Sequence, residues 1–316
     1  MDVVARAGGV GAGKFLRGLV RVVDPTRLTV IVNTGDDIRI HGLHVSPDVD
    51  SVLYALAGLH DDARGWGRES ETFRTTEQLR DRFGAADAWF NLGDLDLATH
   101  LRRTALLGEG ATLSAATASL SDALGVTARL LPMTDEPAPT RIEVVDDEGA
   151  AQDLHFQEYW VRRQARDTVK AIHLDSAEGA RPAPRVLEAI GGARAVLVCP
   201  SNPVVSIGPI LAVPGIAEAV AAARSRVVGV SPIVGGAPLR GMADKLMPAA
   251  GMAVSALGAA KAYDGLLGGW VIDERDRDLA PRIEGELGIR VGVTDTIMTD
   301  DTKAAALAAF ALDLLA

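Results

Sequence analysis

Three short runs of β-branched and aliphatic residues recur along the chain, and each stops at a cluster of glycine, proline, serine, asparagine or aspartate. Leu28-Thr-Val-Ile-Val32 runs into Asn33, Gly35, Asp36 and Asp37. Ala195-Val-Leu-Val-Cys199 runs into Pro200-Ser-Asn-Pro203, and Val227-Val-Gly-Val230 into Ser231-Pro-Ile-Val-Gly-Gly236. Runs that are apolar throughout, rather than alternating, read as strands buried on both faces, the habit of a parallel sheet covered by helices. In such sheets ligands collect at the carboxyl ends of the strands, where these clusters lie. The pattern predicts an α/β fold, with further strands at Ala128–Met133, Arg141–Val145, Trp270–Asp273 and from Val291 onward.

The densest of the clusters is Asn33–Tyr54, with Asp36, Asp37, Asp48 and Asp50 held among Gly35, Ser46 and Pro47. Glycine, proline and small polar residues fix a backbone there, so these carboxylates are candidates for chemistry as well as for an acidic surface turn. Near the start, Gly8, Gly9, Gly11, Gly13 and Lys14 precede a helix-compatible run, the strand–loop–helix pattern of a phosphate site. Phe15 stands where a Walker loop needs a hydroxyl, and the spacing is not a clean dinucleotide fingerprint. From Ser51 to Gly125 the periodicity is helical: Val52, Leu53, Leu56 and Leu59, then Leu97, Leu101, Leu106 and Leu107. The expected organisation is a mostly parallel, Rossmann-like sheet from residues 1–50 and 126–316, with residues 51–125 as a helical insertion. Trp66 between Gly65 and Gly67 has an uncovered ring face suited either to a planar ligand or to a subdomain seam. Ser201 and Asn202, bracketed by prolines, suit a nucleotide base or phosphate. Ionic pairing is the expected fate of Arg162 and Arg163.

A net charge of −10 argues against nucleic acid or an anionic membrane as partner. The single cysteine, Cys199, excludes an internal disulfide and fits a reducing cytoplasm. Neither a leader pattern nor an apolar run of membrane-spanning length is found.

The set GGVGAGKFLRGL, NTGDD, HGL, SPDVDSVLYALAGL, GWG, LGDLDLATHL, LLPMTDEP, FQEYWVRR, PSNPVVSIGPIL, SPIVGGAPLRGMADKLM and TDTIMTD strongly resembles the 2-phospholactate transferase family of coenzyme F420 biosynthesis. The resemblance runs from about Gly8 to Asp300. It implies a Rossmann-like homodimer, magnesium, the deazariboflavin precursor Fo as acceptor, and a guanosine diphosphate-linked acid as donor. The terminal ribityl hydroxyl of Fo would attack the donor's terminal phosphorus and expel GMP. It also implies that Asp50 lies against the deazaflavin, with Asn91 and Asp94 in the same pocket; Trp66 is the best candidate in reach for one wall of it. Gly8 to Lys14 would cradle phosphates, while Ser201, Asn202 and Ser206 hold the nucleotide. For magnesium, which takes one or two carboxylates with phosphates and waters, Asp37 and Asp50 are the first choice, and Asp36 and Asp48 the alternatives. On this view Asp50→Asn abolishes transfer and leaves the fold intact. Two departures stand out: Leu95 where many members carry arginine, and Arg6 in a first strand that should be apolar. The acid carried by the donor (2-phospholactate, phosphoenolpyruvate or 3-phosphoglycerate) is not separable on the sequence. Rival readings are a related nucleotide-sugar-binding regulator and, lower, a nicotinamide-dependent oxidoreductase.

Overall fold

The computed structural model describes residues 2–146 and 148–315. Its strands are β1 (Val3–Ala7), β2 (Leu28–Val32), β3 (Ile38–Ile40), β4 (Leu43–Val45), β5 (Arg129–Pro132), β6 (Arg141–Val145), β7 (Ala151–His155), β8 (Thr168–His173), β9 (Ala195–Val198), β10 (Val227–Val230), β11 (Ile233–Val234), β12 (Ala237–Pro238), β13 (Gly269–Asp273) and β14 (Arg290–Thr294). Seven of them form one sheet in the order β14-β13-β10-β9-β1-β2-β5, and every pairing in it is parallel. The residues of the five inner strands, β13, β10, β9, β1 and β2, are all buried, which is why their runs lack alternation. The strand order reverses around β1, so the open crevice of the sheet lies beyond the ends of β1, β2 and β9.

Side chains alternate across the sheet. Val3, Ala5 and Ala7 of β1 pack with α1 (Gly9–Leu19), α2 (Pro47–Leu56) and the C-terminal helix Asp301–Asp313. Val4 faces the opposite layer, where Ile207, Ile210, Ile216 and Trp270 are joined by Ile142, Val144 and Tyr159. Those last three come from a feature the sequence did not announce: β6 does not enter the main sheet but centres an antiparallel sheet, β7-β6-β8. The hairpin β3–β4, turning at His41-Gly42 with positive φ at both, was likewise missed inside the motif-rich stretch.

Between β2 and β5 the chain carries that hairpin and α2, α3 (Arg74–Asp81), α4 (Asp94–Gly108) and α5 (Leu113–Ala123). The division expected after residue 50 falls inside α2, whose residues Val49, Val52 and Leu53 pack into the α1 layer. In α4 the leucine stripe is only partly buried: Leu97 is inside but Leu101 is 57% exposed, and the helix turns Asp96, Thr99, His100 and Arg103 inward alongside Leu97. Among the described residues no single helix is long and apolar enough to cross a membrane.

Candidate active site

The ends of β1, β2 and β9 converge on Asn33. Its Nδ2 donates to Asp48 Oδ2 at 2.8 Å and to the Val205 carbonyl at 3.2 Å, while its Oδ1 accepts the Gly35 amide at 2.8 Å. One buried side chain thus ties the loop after β2 to the start of α2 and to the π-helical turn Pro203–Ile207. From the antiparallel subdomain, Gln157 Nε2 donates to Asp36 Oδ2 at 3.1 Å, and His155 Nε2 donates to the Asp37 carbonyl at 3.0 Å. Gly8 has no room for a side chain. A Cβ there would stand 2.6 Å from Asp48 Oδ2 and 2.7 Å from Ser206 Cβ.

Three carboxylates crowd this point. Asp36 and Asp48 are buried, and Asp37 is partly so, with 11% of its side chain exposed. Burial pushes all three upward, and mutual repulsion adds to the rise at Asp36 and Asp48. Asp48 reaches about 7 despite accepting from Asn33 and the Gly9 amide. Asp36 Oδ1 and Asp37 Oδ1 are buried and lack any hydrogen-bond partner. Asp37 Oδ2 is fixed by Ser46 Oγ at 2.8 Å and lies 2.9 Å from His44 Nε2.

Asp50 has a different neighbourhood. Arg103, fully buried on α4, grips both of its oxygens, through Nη1 at 2.9 Å and through Nη2. His100 Nδ1 lies 3.5 Å from Asp50, His100 Nε2 lies 3.5 Å from Asp96, and Tyr54 Oη donates to Asp96 at 2.6 Å. The first-choice metal pair, Asp37 with Asp50, is therefore not what the geometry brings together. Asp50 already faces a guanidinium, whereas Asp36 and Asp48 are near enough to perturb each other's charge. No three carboxylate or imidazole groups converge in metal-binding geometry among the described residues. Magnesium does not require three, since phosphates and water complete its shell. Two repelling buried carboxylates with an orphaned oxygen fit a divalent ion.

The remaining expected residues separate into two sets. α1 begins at Gly9 (φ +73°), so Gly11 and Gly13 are helical. Their missing side chains allow close approach to the Pro200 carbonyl and to Ala55, which is packing rather than a phosphate cradle. Anion-attracting amides are thereby confined to the first turn of α1, with Lys14 a turn further along. Ser201 Oγ is buried without a partner, and Asn202 Oδ1 caps the π-helical turn by accepting from Val204 N at 2.9 Å. Trp66, 39% exposed, lies against Phe73, with the Arg64 guanidinium 5.0 Å from both rings. Asn91 is exposed.

Asp94 is committed to structure. It accepts from Thr72 Oγ1 and from the amides of Arg74 and Thr75, capping α3, while Glu71 reciprocally caps α4 through the amides of Leu95 and Asp96. These bonds hold its carboxyl down at about 2. Asp94→Ala is expected to cost about 1 kcal/mol, read as a lower melting temperature at neutral pH. Because the folded pKa is depressed, the charge-assisted part of that difference is present above about pH 4 and fades as pH falls towards about 2.

Arg103, His44, His155 and Gln157 were not singled out by the sequence. A signal for Arg103 existed: Asp96, His100 and Arg103 stand at i, i+4 and i+7, an ionisable stripe along one helix face.

Against this geometry the comparisons are direct. The profile of the family described as 2-phospho-L-lactate transferase CofD matches residues 3–296. Proteins named phosphoenolpyruvate transferase from Streptomyces griseus and Streptomyces coelicolor are 49% and 48% identical over 315 residues, spanning 99% of this chain and 98% of theirs. The 2-phospho-L-lactate transferase of Methanosarcina mazei is 40% identical over 302 residues, 96% of each chain. Among solved structures, a UPF0052-family protein from Bacillus halodurans matches with a TM-score of 0.63 across 98% of both chains at 18% identity, a likeness of fold. The chain belongs to the 2-phospho-L-lactate transferase CofD family.

Proposed function

We propose that the protein is a phosphoacid transferase of coenzyme F420 biosynthesis. It moves an enolpyruvyl phosphate group from a guanosine diphosphate-activated donor to the terminal ribityl hydroxyl of Fo and releases GMP. The observation that carries this reading is the crowding of Asp36, Asp37 and Asp48 at the crevice of the sheet, with an unpartnered oxygen on Asp36 and on Asp37. A group of anions held apart from water is poised for a cation and a diphosphate. The enolpyruvyl choice is supported by relatives of that name at 49% and 48% identity, against 40% for the phospholactate enzyme.

In this reading Asp36 and Asp48 hold magnesium, which when bound neutralises charge on the diphosphate. Asp37, raised by burial and fixed by Ser46 and His44, accepts the proton of the attacking hydroxyl on its unpartnered Oδ1. The new O–P bond forms as the bond to the bridging oxygen breaks, and that oxygen leaves on GMP. Asp50 acts through Arg103, keeping the guanidinium beside the Asp37 end of the site. Ser201, Ser206 and the first turn of α1 receive the nucleotide and its phosphates. Where Leu95 replaces the familiar arginine, Arg68 Nη1 reaches the Leu95 carbonyl at 3.3 Å and brings a guanidinium to that neighbourhood. The assembly is taken to be a cytoplasmic homodimer, which sedimentation velocity tests.

The deciding experiment is the product mass from Fo with each candidate guanosine diphosphate donor. The enolpyruvyl phosphodiester should dominate, and a product formed only with another donor overturns that choice. Product formation is also expected to stop when a chelator removes divalent metal. Turnover that continues in verified metal-free protein removes magnesium from the scheme. Trp66, freed from Arg64, is proposed to stack on Fo. Trp66→Ala should then raise the Kd for Fo by about 1–3 kcal/mol, and an unchanged Kd with a lower melting temperature assigns it to the loop instead.

A further inference from the structure

Arg6 is the most unfavourably placed charge in the described chain. It is the next-to-last residue of β1, at the centre of the sheet, on the face it shares with Val4. Its side chain is fully buried, and Nε, Nη1 and Nη2 all lack hydrogen-bond partners. A guanidinium offers five donors and accepts nothing, so its partners must be acceptors. Burial lowers it only to about 10, which leaves it cationic at neutral pH.

Nothing in its surroundings neutralises that charge. The ionisable groups that face it are Tyr263 and Cys199, and burial raises both, keeping them uncharged. The Tyr263 hydroxyl is itself buried without a partner. None of Asp48, Asp36 and Asp50 bonds to it: they accept from Asn33, Gln157 and Arg103 in turn. Further along the sheet lie other unpartnered polar groups. β1 ends one residue later at the start of α1, and the strands on either side lead to Ser201 and Thr34, whose hydroxyls are also buried and unpartnered. Three guanidinium nitrogens without an acceptor call for an anion with several oxygens.

We propose that Arg6 anchors an internal oxyanion site that takes a phosphate-class anion, with the Tyr263 hydroxyl as a second donor. The planar fork of arginine matches two phosphate oxygens at once, which a lysine cannot do. Free inorganic phosphate and the diphosphate of a nucleotide are the two sources of that chemistry. The site itself does not depend on the donor proposed above.

The test is thermal unfolding of the full-length protein, titrated at constant ionic strength with inorganic phosphate, GDP, or both. Wild type should show a saturable rise in melting temperature with phosphate. Arg6→Met should melt higher than wild type without anion, because its buried charge is gone, and should lose the phosphate response by about tenfold or more. Arg6→Lys, which keeps the charge, should respond weakly and serves if the methionine variant does not fold. Competition between GDP and phosphate assigns the anion to the nucleotide. Additive shifts assign it to free phosphate. Either pattern supports the site if it is lost with Arg6. An absent response in wild type, or an equal one in both Arg6 variants, overturns it, the latter placing the anion at the α1 N-terminus.

Discussion

Asp36→Asn should yield a protein that melts a few degrees higher than wild type and turns over slower on the order of a hundredfold or more. The two effects have one origin. Asp36 is buried beside Asp48 and near Asp37, with one oxygen unpartnered, so its charge disfavours the folded state. An amide keeps the acceptor that Gln157 bonds and adds a donor facing Asp48, turning repulsion into a hydrogen bond. The same exchange removes a charge from the proposed metal pair. Calorimetry with steady-state kinetics on one preparation reads both. A variant that is no more stable and as active as wild type would remove Asp36 from the site.

Asp50→Asn should fail in the opposite way. The sequence suggested an inactive but intact protein, whereas the ion pair with Arg103 points to a loss of stability as well. An asparagine presents one oxygen to a fully buried guanidinium that now grips two. Breaking a buried pair from one side costs about 3–5 kcal/mol, so a large drop in melting temperature is expected together with lost transfer. Asp50→Leu combined with Arg103→Met should recover much of the stability and none of the activity, because it removes both charges together. A single Asp50→Asn variant with wild-type stability would show that the pair contributes little.

What was legible in the sequence follows from how far each signal reaches. The main-sheet strands were visible because burial on both faces writes itself into consecutive residues, as in Leu28–Val32 and Ala195–Cys199. The loop after β2 was visible because Gly35, Ser46 and Pro47 surround its carboxylates. Partner choice among those carboxylates was not visible. It depends on Arg103 and Gln157, 53 and 121 positions away from the residues they bond, and no local spacing encodes such distances. The glycine segment misled for a different reason. Phosphate loops and tight helix packing both demand missing side chains, and only the Pro200 carbonyl above Gly11 separates the two uses. Leu101 misled because apolar periodicity was read as the buried face, when α4 buries Leu97 together with an ionisable stripe that leaves Leu101 outside.

The place of β1 in the sheet carries a consequence for how the chain is made. Its partners are β2, complete by residue 32, and β9, which begins at Ala195. At about 5–20 residues per second of synthesis, the nascent chain spends on the order of ten to forty seconds with one edge of its central strand bare. Parallel pairing across such a gap is slow to close. During that interval the only parallel partners already made are β2 and β5, while the antiparallel β6–β8 unit can assemble from its own neighbours. The edge left waiting, Val3–Ala7, is apolar except at Arg6, so the one residue that burdens the finished sheet is also the one charge that discourages strangers from pairing with it before β9 arrives.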